Sequence, residues 1–83
     1  MEKPIDLALK EAVAAHKGNK LQKARQLYDA ILKAQPDHPD ANHNLGLLAA
    51  AAGYVTDAIP LFKKALEANP SVDQFWLSYI DAL

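Results

Sequence analysis

A shift of 34 residues superposes this chain on itself. Leu21 then falls on Val55, Ala24 on Ala58, Leu27 on Leu61 and Tyr28 on Phe62. The same shift places Leu32 on Leu66, Ala34 on Ala68 and Pro36 on Pro70. Seven coincidences at one offset make an internal repeat. A repeat of this length constrains the fold strongly, because each copy is one supersecondary unit that buries its apolar face only against its neighbours.

Each copy reads as two helices. From Pro4 to about Lys17, the residues Ile5, Ala8, Leu9, Ala12, Val13 and Ala15 keep helical spacing. Pro4 suits a first turn, where its missing N–H is not needed. Gly18-Asn19 ends this helix. Asn19 stands where Gly53 stands one copy later, and asparagine tolerates the left-handed backbone better than most residues. The second helix spans about 20–34, with Leu21, Ala24, Leu27, Tyr28, Ile31 and Leu32 as its buried stripe. Pro36 closes it. The third helix is predicted to start with Asp37 as its cap, accepting from the backbone of Asp40, with Pro39 in the first turn. It runs to about Ala52, and Gly53 makes the tight exit. The fourth covers about 55–68 and contains Pro60, which removes the backbone bond to the Thr56 carbonyl. Ser71-x-x-Gln74 reads as a capping box for a fifth helix running to Leu83. Short links between helices make neighbours antiparallel. Gly46 and Ala58 lack bulk and are expected to meet, drawing the third and fourth helices to within about 8–10 Å. Tyr28 and Phe62 fill the layer between successive pairs.

The unit resembles the tetratricopeptide repeat, whose signature is W-x2-L-G-x2-Y, then A-x3-F, then P. Leu45-Gly46, Ala58-x3-Phe62 and Pro70 match it. Asn42 stands in the place of the Trp and Ala49 in the place of the Tyr. The last copy restores the Trp as Trp76 and puts Tyr79 and Ile80 where Leu-Gly belongs. The resemblance divides the chain into a degenerate repeat at about 5–38, a good one at 39–72, and the first helix of a third at 73–83. It implies an all-α fold: a right-handed α-solenoid of antiparallel helix pairs, about two and a half units and five helices. The copies are also similar to repeats of bacterial proteins that precede a glycosyltransferase-type or sulfotransferase-type domain. An accessory region of such an enzyme is therefore the alternative role.

The remaining inventory narrows the function. A chain of 83 residues makes one small domain. A formal net charge of -1 points away from nucleic acid, which selects for a basic excess. Cysteine is absent, so no disulfide or thiolate chemistry is expected. No run approaches the ~18 apolar residues of a membrane span. The opening stretch, MEKPIDLALKEA, mixes both charges and does not read as a signal peptide, which makes a cytoplasmic setting the expectation. The only serines are Ser71 and Ser78, and the histidines are His16, His38 and His43. His38 and His43 are five apart and lie on different helical faces, so they form no metal pair. Asp6, Glu11, Asp40, Asp57 and Asp81 are dispersed over separate segments. No catalytic constellation, metal site or cofactor is expected, and the chain does not read as an enzyme.

In the family it resembles, the first helices of successive repeats line a concave groove that receives a protein or peptide. The residues this assigns to the groove are Leu9, Lys10, Val13 and Lys17 on the first helix. Asp40, His43, Asn44 and Leu47 follow on the third, and Leu77 and Ser78 on the fifth. Leu9, Val13, Leu47 and Leu77 would have no use on a face that met only water. Asn44 directly precedes Leu45-Gly46, a place that often holds an Asn bonded to the ligand backbone in peptide-binding members. Lys10 and Ser78 hold the matching places in the other copies. His43 is expected to be solvated. Finally, Phe75, Trp76, Tyr79, Ile80 and Leu83 form a broad apolar stripe on the last helix. A homodimer is expected, with two such helices packed on each other or swapped into each other's places; the competing outcome is a monomer whose last helix frays.

Overall fold

The computed structural model describes residues 3–83. It contains five helices: α1 (Ile5–Lys17), α2 (Leu21–Ala34), α3 (Pro39–Ala51), α4 (Val55–Ala68) and α5 (Asp73–Ala82). No strand occurs among the described residues. Each helix packs on the next in sequence, and α3 makes a smaller contact with α5. The result is an elongated body of 38 × 24 × 18 Å.

The repeat is visible in the backbone itself. Asn19 has φ 61° and Gly53 has φ 92°, so both exits use the left-handed conformation. At the first, the Lys20 N–H donates to the Ala15 carbonyl and the Asn19 N–H to that of His16. At the second, the Tyr54 N–H donates to Ala49 and the Gly53 N–H to Ala50. Both are Schellman closures, 34 residues apart. The wider links also match. Gln35 bonds back to Ile31 and accepts from His38, as Asn69 bonds back to Ala65 and accepts from Val72.

Two helix starts differ from the sequence expectation. His38, not Asp37, caps α3: its Nδ1 accepts from the Ala41 N–H at 3.1 Å. The turn at 35–38 brings His38 into the half-in position, one residue later than Asp37. The Ser71–Gln74 capping box does not form. Val72 occupies the cap position with no side-chain bond. Ser71 donates to Asn69 Oδ1 instead, at 2.8 Å, and Gln74 turns towards Ser78. Ser71 competes locally for a turn acceptor, a habit of short hydroxyl side chains.

The core is rich in alanine. Ala8, Ala12, Ala15, Ala24 and Ala41 pack with Tyr28, Ile31 and Leu48 across α1, α2 and α3. A second cluster joins Ala65 and Leu66 of α4 to Phe75 of α5. Leu21, expected in the buried stripe, is 43% exposed at the start of α2. Phe62, itself buried, lies against Gly46. A Cβ placed on Gly46 would come within 2.6 Å of the Phe62 ring. The Phe62 ring therefore dictates the glycine.

Candidate functional site

Three helices supply the residues assigned to the groove, and the structure sorts them into two groups. Val13 and Lys17 of α1 meet Asn44 and Leu47 of α3 around a cavity of about 220 Å³. His16, on the same stripe of α1 as Val13 and Lys17, completes its lining together with Tyr28, which was expected in the layer between helix pairs. Val13, Leu47 and the Tyr28 ring form apolar walls, and Lys17, His16 and Asn44 give it polar edges. The helical periodicity of α1 and α3 brings these positions to one side, because residues three and four apart share a face.

Tyr28 forms the floor. Its side chain is fully buried, and its hydroxyl lies 3.3 Å from His16 Nδ1. The His16 ring meets it edge-on, with ring centroids 6.1 Å apart. Burial pushes the Tyr28 hydroxyl above its ordinary pKa, and the Asn44 side chain works in the opposite direction. Asn44 thus serves the floor of the cavity while remaining only half-buried itself.

Other assigned residues do not line this cavity. Lys10 and Asp40 are exposed and Leu9 is half-buried, packed against the α1–α3 core. Leu77 is 55% exposed on α5. His43 and Ser78 require correction, since both are turned inward. His43 is 6% and Ser78 7% exposed, and His43 Nε2 lies 2.8 Å from Ser78 Oγ. Gln74 donates to the same hydroxyl oxygen at 3.3 Å. The His43 ring also lies against Phe75 at 4.8 Å and Phe62 at 5.7 Å between centroids. Burial holds the imidazole below its ordinary pKa, although Asn44 and the Asp40 carboxylate pull it upward. His43 is therefore not a solvated groove residue. It joins α3 to α5, with the phenyl ring of α4 beside it.

The apolar stripe on α5 also needs revision. Phe75 is 4% exposed and belongs to the α4–α5 cluster, and Tyr79 packs partly against it. Trp76, Ile80 and Leu83 remain open, at 44%, 60% and 74%. The docking of α5 on α4 removes one side of the stripe from water and leaves the other.

Asn42 is a structural residue that the sequence showed only as a departure from Trp. It is 1% exposed and donates from Nδ2 to the carbonyls of Pro36 and His38, both at 3.0 Å. In the next copy the Trp76 Nε1–H donates to the Pro70 carbonyl at 2.9 Å. Two unlike side chains at one repeat position make one bond, six residues back. The shared requirement is an N–H donor, and a proline carbonyl at fixed distance was the signal for it.

Among the described residues, no group of three or more His, Cys, Asp or Glu side chains could hold a metal ion. None of the described helices is long and apolar enough to cross a membrane.

Paired antiparallel helices with matching closures at a 34-residue spacing define an all-α helical-repeat protein. The family model described as tetratricopeptide repeat matches residues 9–73, and the chain belongs to that family. Tetratricopeptide repeats generally mediate protein–protein interaction and are typically non-catalytic scaffolds.

Proposed function

We propose that this chain binds an extended segment of a partner protein across the face shared by α1, α3 and α5. The observation that carries this reading is the cavity between α1 and α3, which gathers Val13, Lys17, Asn44 and Leu47. Its apolar walls offer a seat for one large side chain, and the Asn44 amide can both donate to and accept from a peptide backbone beside it. Leu77, exposed on α5, is taken to extend that face. The unit that does this is two helical pairs, 5–38 and 39–72, followed by α5 as the first helix of a third. The chain takes a protein ligand and neither nucleic acid nor a cofactor, and performs no chemistry on it. The test is capture from a random peptide library, followed by affinity measurement with Asn44→Ala and Leu47→Glu. Both substitutions should weaken the captured peptides, by roughly tenfold or more for the charge placed in an apolar seat. Peptides that bind both variants as tightly as the parent would rule the site out.

A second reading is self-association through α5. The open side of that helix, Trp76, Ile80 and Leu83, supports it. Large side chains in contact with water on one helix face are characteristic of an interface.

A further inference from the structure

The occupant of that open face is indicated by charge. Helix α5 carries Asp73 and Asp81 and has no Lys, Arg or His. Trp76, Ile80 and Leu83 follow one another at i, i+4 and i+7 and so form one stripe. Asp73 opens the stripe, three residues before Trp76, and Asp81 follows Ile80 in the last turn. Two such faces brought together by a two-fold axis would set aspartates against aspartates with no base between them, and like charges in an interface oppose association.

The opposite character is found on the first helical pair. Two adjoining cavities, of about 480 and 680 Å³, run between α1 and α2 and share Lys3 and Leu27. Ile5, Ala8, Leu27 and Ile31 make an apolar bed, and Lys20, Lys23 and Lys33 stand around it. Among the described residues the single acid in the lining, Glu11, is already engaged by Lys3. No residue of α3, α4 or α5 lines either cavity. An α-helix of ten residues is about 15 Å long and fits along a trough bounded by helices of 13 and 14 residues.

We propose that the α1–α2 trough receives α5 of a second copy of this chain, in a head-to-tail contact. This rests on the second reading above and specifies its geometry. Trp76, Ile80 and Leu83 of one protomer lie on the apolar bed of the next, and Asp73, on the same stripe, faces its lysines. Such a contact is heterologous. A pair leaves one trough free on one protomer and one α5 face free on the other, so the association does not close at two copies unless the rotation between copies makes a ring.

The experiment is sedimentation velocity of the 83-residue chain up to hundreds of micromolar, at low and at high salt. Two variants accompany it: Lys23→Glu with Lys33→Glu in the trough, and Ile80→Glu on the stripe. Circular dichroism melts verify that both remain folded, since all three positions are exposed. The expected result is a mass that rises past the dimer with concentration and falls with salt, with association weakened roughly tenfold or more by either variant. The trough variant should also shorten the oligomers when mixed with the parent chain, because it presents a face but no seat. A dimer that reaches a plateau and ignores the lysine changes would overturn the head-to-tail geometry while leaving self-association through α5 intact. A monomer at every concentration and salt would overturn both.

Discussion

Gly46 has no room for a methyl group. The Phe62 ring occupies the place where a Cβ would sit, and Phe62 also lies against the His43 ring of the same helix, α3. Gly46→Ala should therefore destabilise the fold by about 1–3 kcal/mol through overpacking, as read by urea denaturation. An unchanged midpoint would mean that the ring moves freely. Gly53 presents the reverse situation. Open space surrounds it, but its φ of 92° strains any side chain. Gly53→Ala should lose about 1–2 kcal/mol from backbone conformation alone. Asn42 makes a third residue-scale case. Replacing it with Ala takes the only side-chain donor from the Pro36 and His38 carbonyls and should destabilise by about 1–3 kcal/mol in the same assay. The left-handed exits were legible in the sequence, because Gly53 and Asn19 are the residues that tolerate them. The role of Asn42 was not, since its value lies in acceptors set by the turn before it.

At the scale of the element, α5 is the helix whose attachment depends on a titratable group. His43 sits between Phe62 and Phe75, with Ser78 bonded to its Nε2 and Asp40 on its own helix. The folded chain holds this imidazole neutral at a lowered pKa, whereas the unfolded chain titrates near 6.5. Below that value the unfolded state takes up the proton first. The contribution of His43 is thus fully present above pH ~6.5 and is lost as pH falls towards the lowered folded value. Thermal melts at pH about 7.5 and about 5.5 should show the parent losing stability, and a His43→Gln variant losing less of it. Equal losses in parent and variant would refute this role. The pairing was hidden in the sequence because Ser78 lies 35 residues away and because exposed and buried histidines look alike on a helix of mixed composition. Helix existence and order, in contrast, followed from apolar spacing and from Gly18, Pro36, Gly53 and Pro70 as punctuation. The capping residues were legible only in type: hydroxyl and carboxylate side chains were available at both starts, and the backbone turn chose His38 once and Val72, which has no cap to give, the second time.

For the whole molecule, packing is sequential. Each helix leans on its neighbours in the chain, so stability is distributed along one dimension instead of residing in a central core. The clusters mirror this, one across α1 to α3 and the other between α4 and α5, with Phe62 and His43 between them. Hydrogen exchange should accordingly be slowest in α3 and α4, the most extensively packed pair, and fastest in α5, which rests on α4 and only lightly on α3. Uniform protection over all five helices would indicate a single cooperative unit. The repeat offset made this architecture readable before any coordinates. The meeting of Val13 with Leu47 was less so, because it depends on how far α3 is rotated over α1.

The bond from Trp76 to Pro70 has an optical consequence. Trp76 is the only tryptophan of the chain, its indole N–H is held by the link that precedes α5, and nearly half of it faces water. Its emission is therefore a native dye placed at the joint between α4 and α5. Loosening of that joint would release the indole to solvent and shift the spectrum to the red, whereas a second protomer covering the ring would shift it to the blue. Fraying and assembly, which a mass measurement alone can confuse at low concentration, would move one signal in opposite directions.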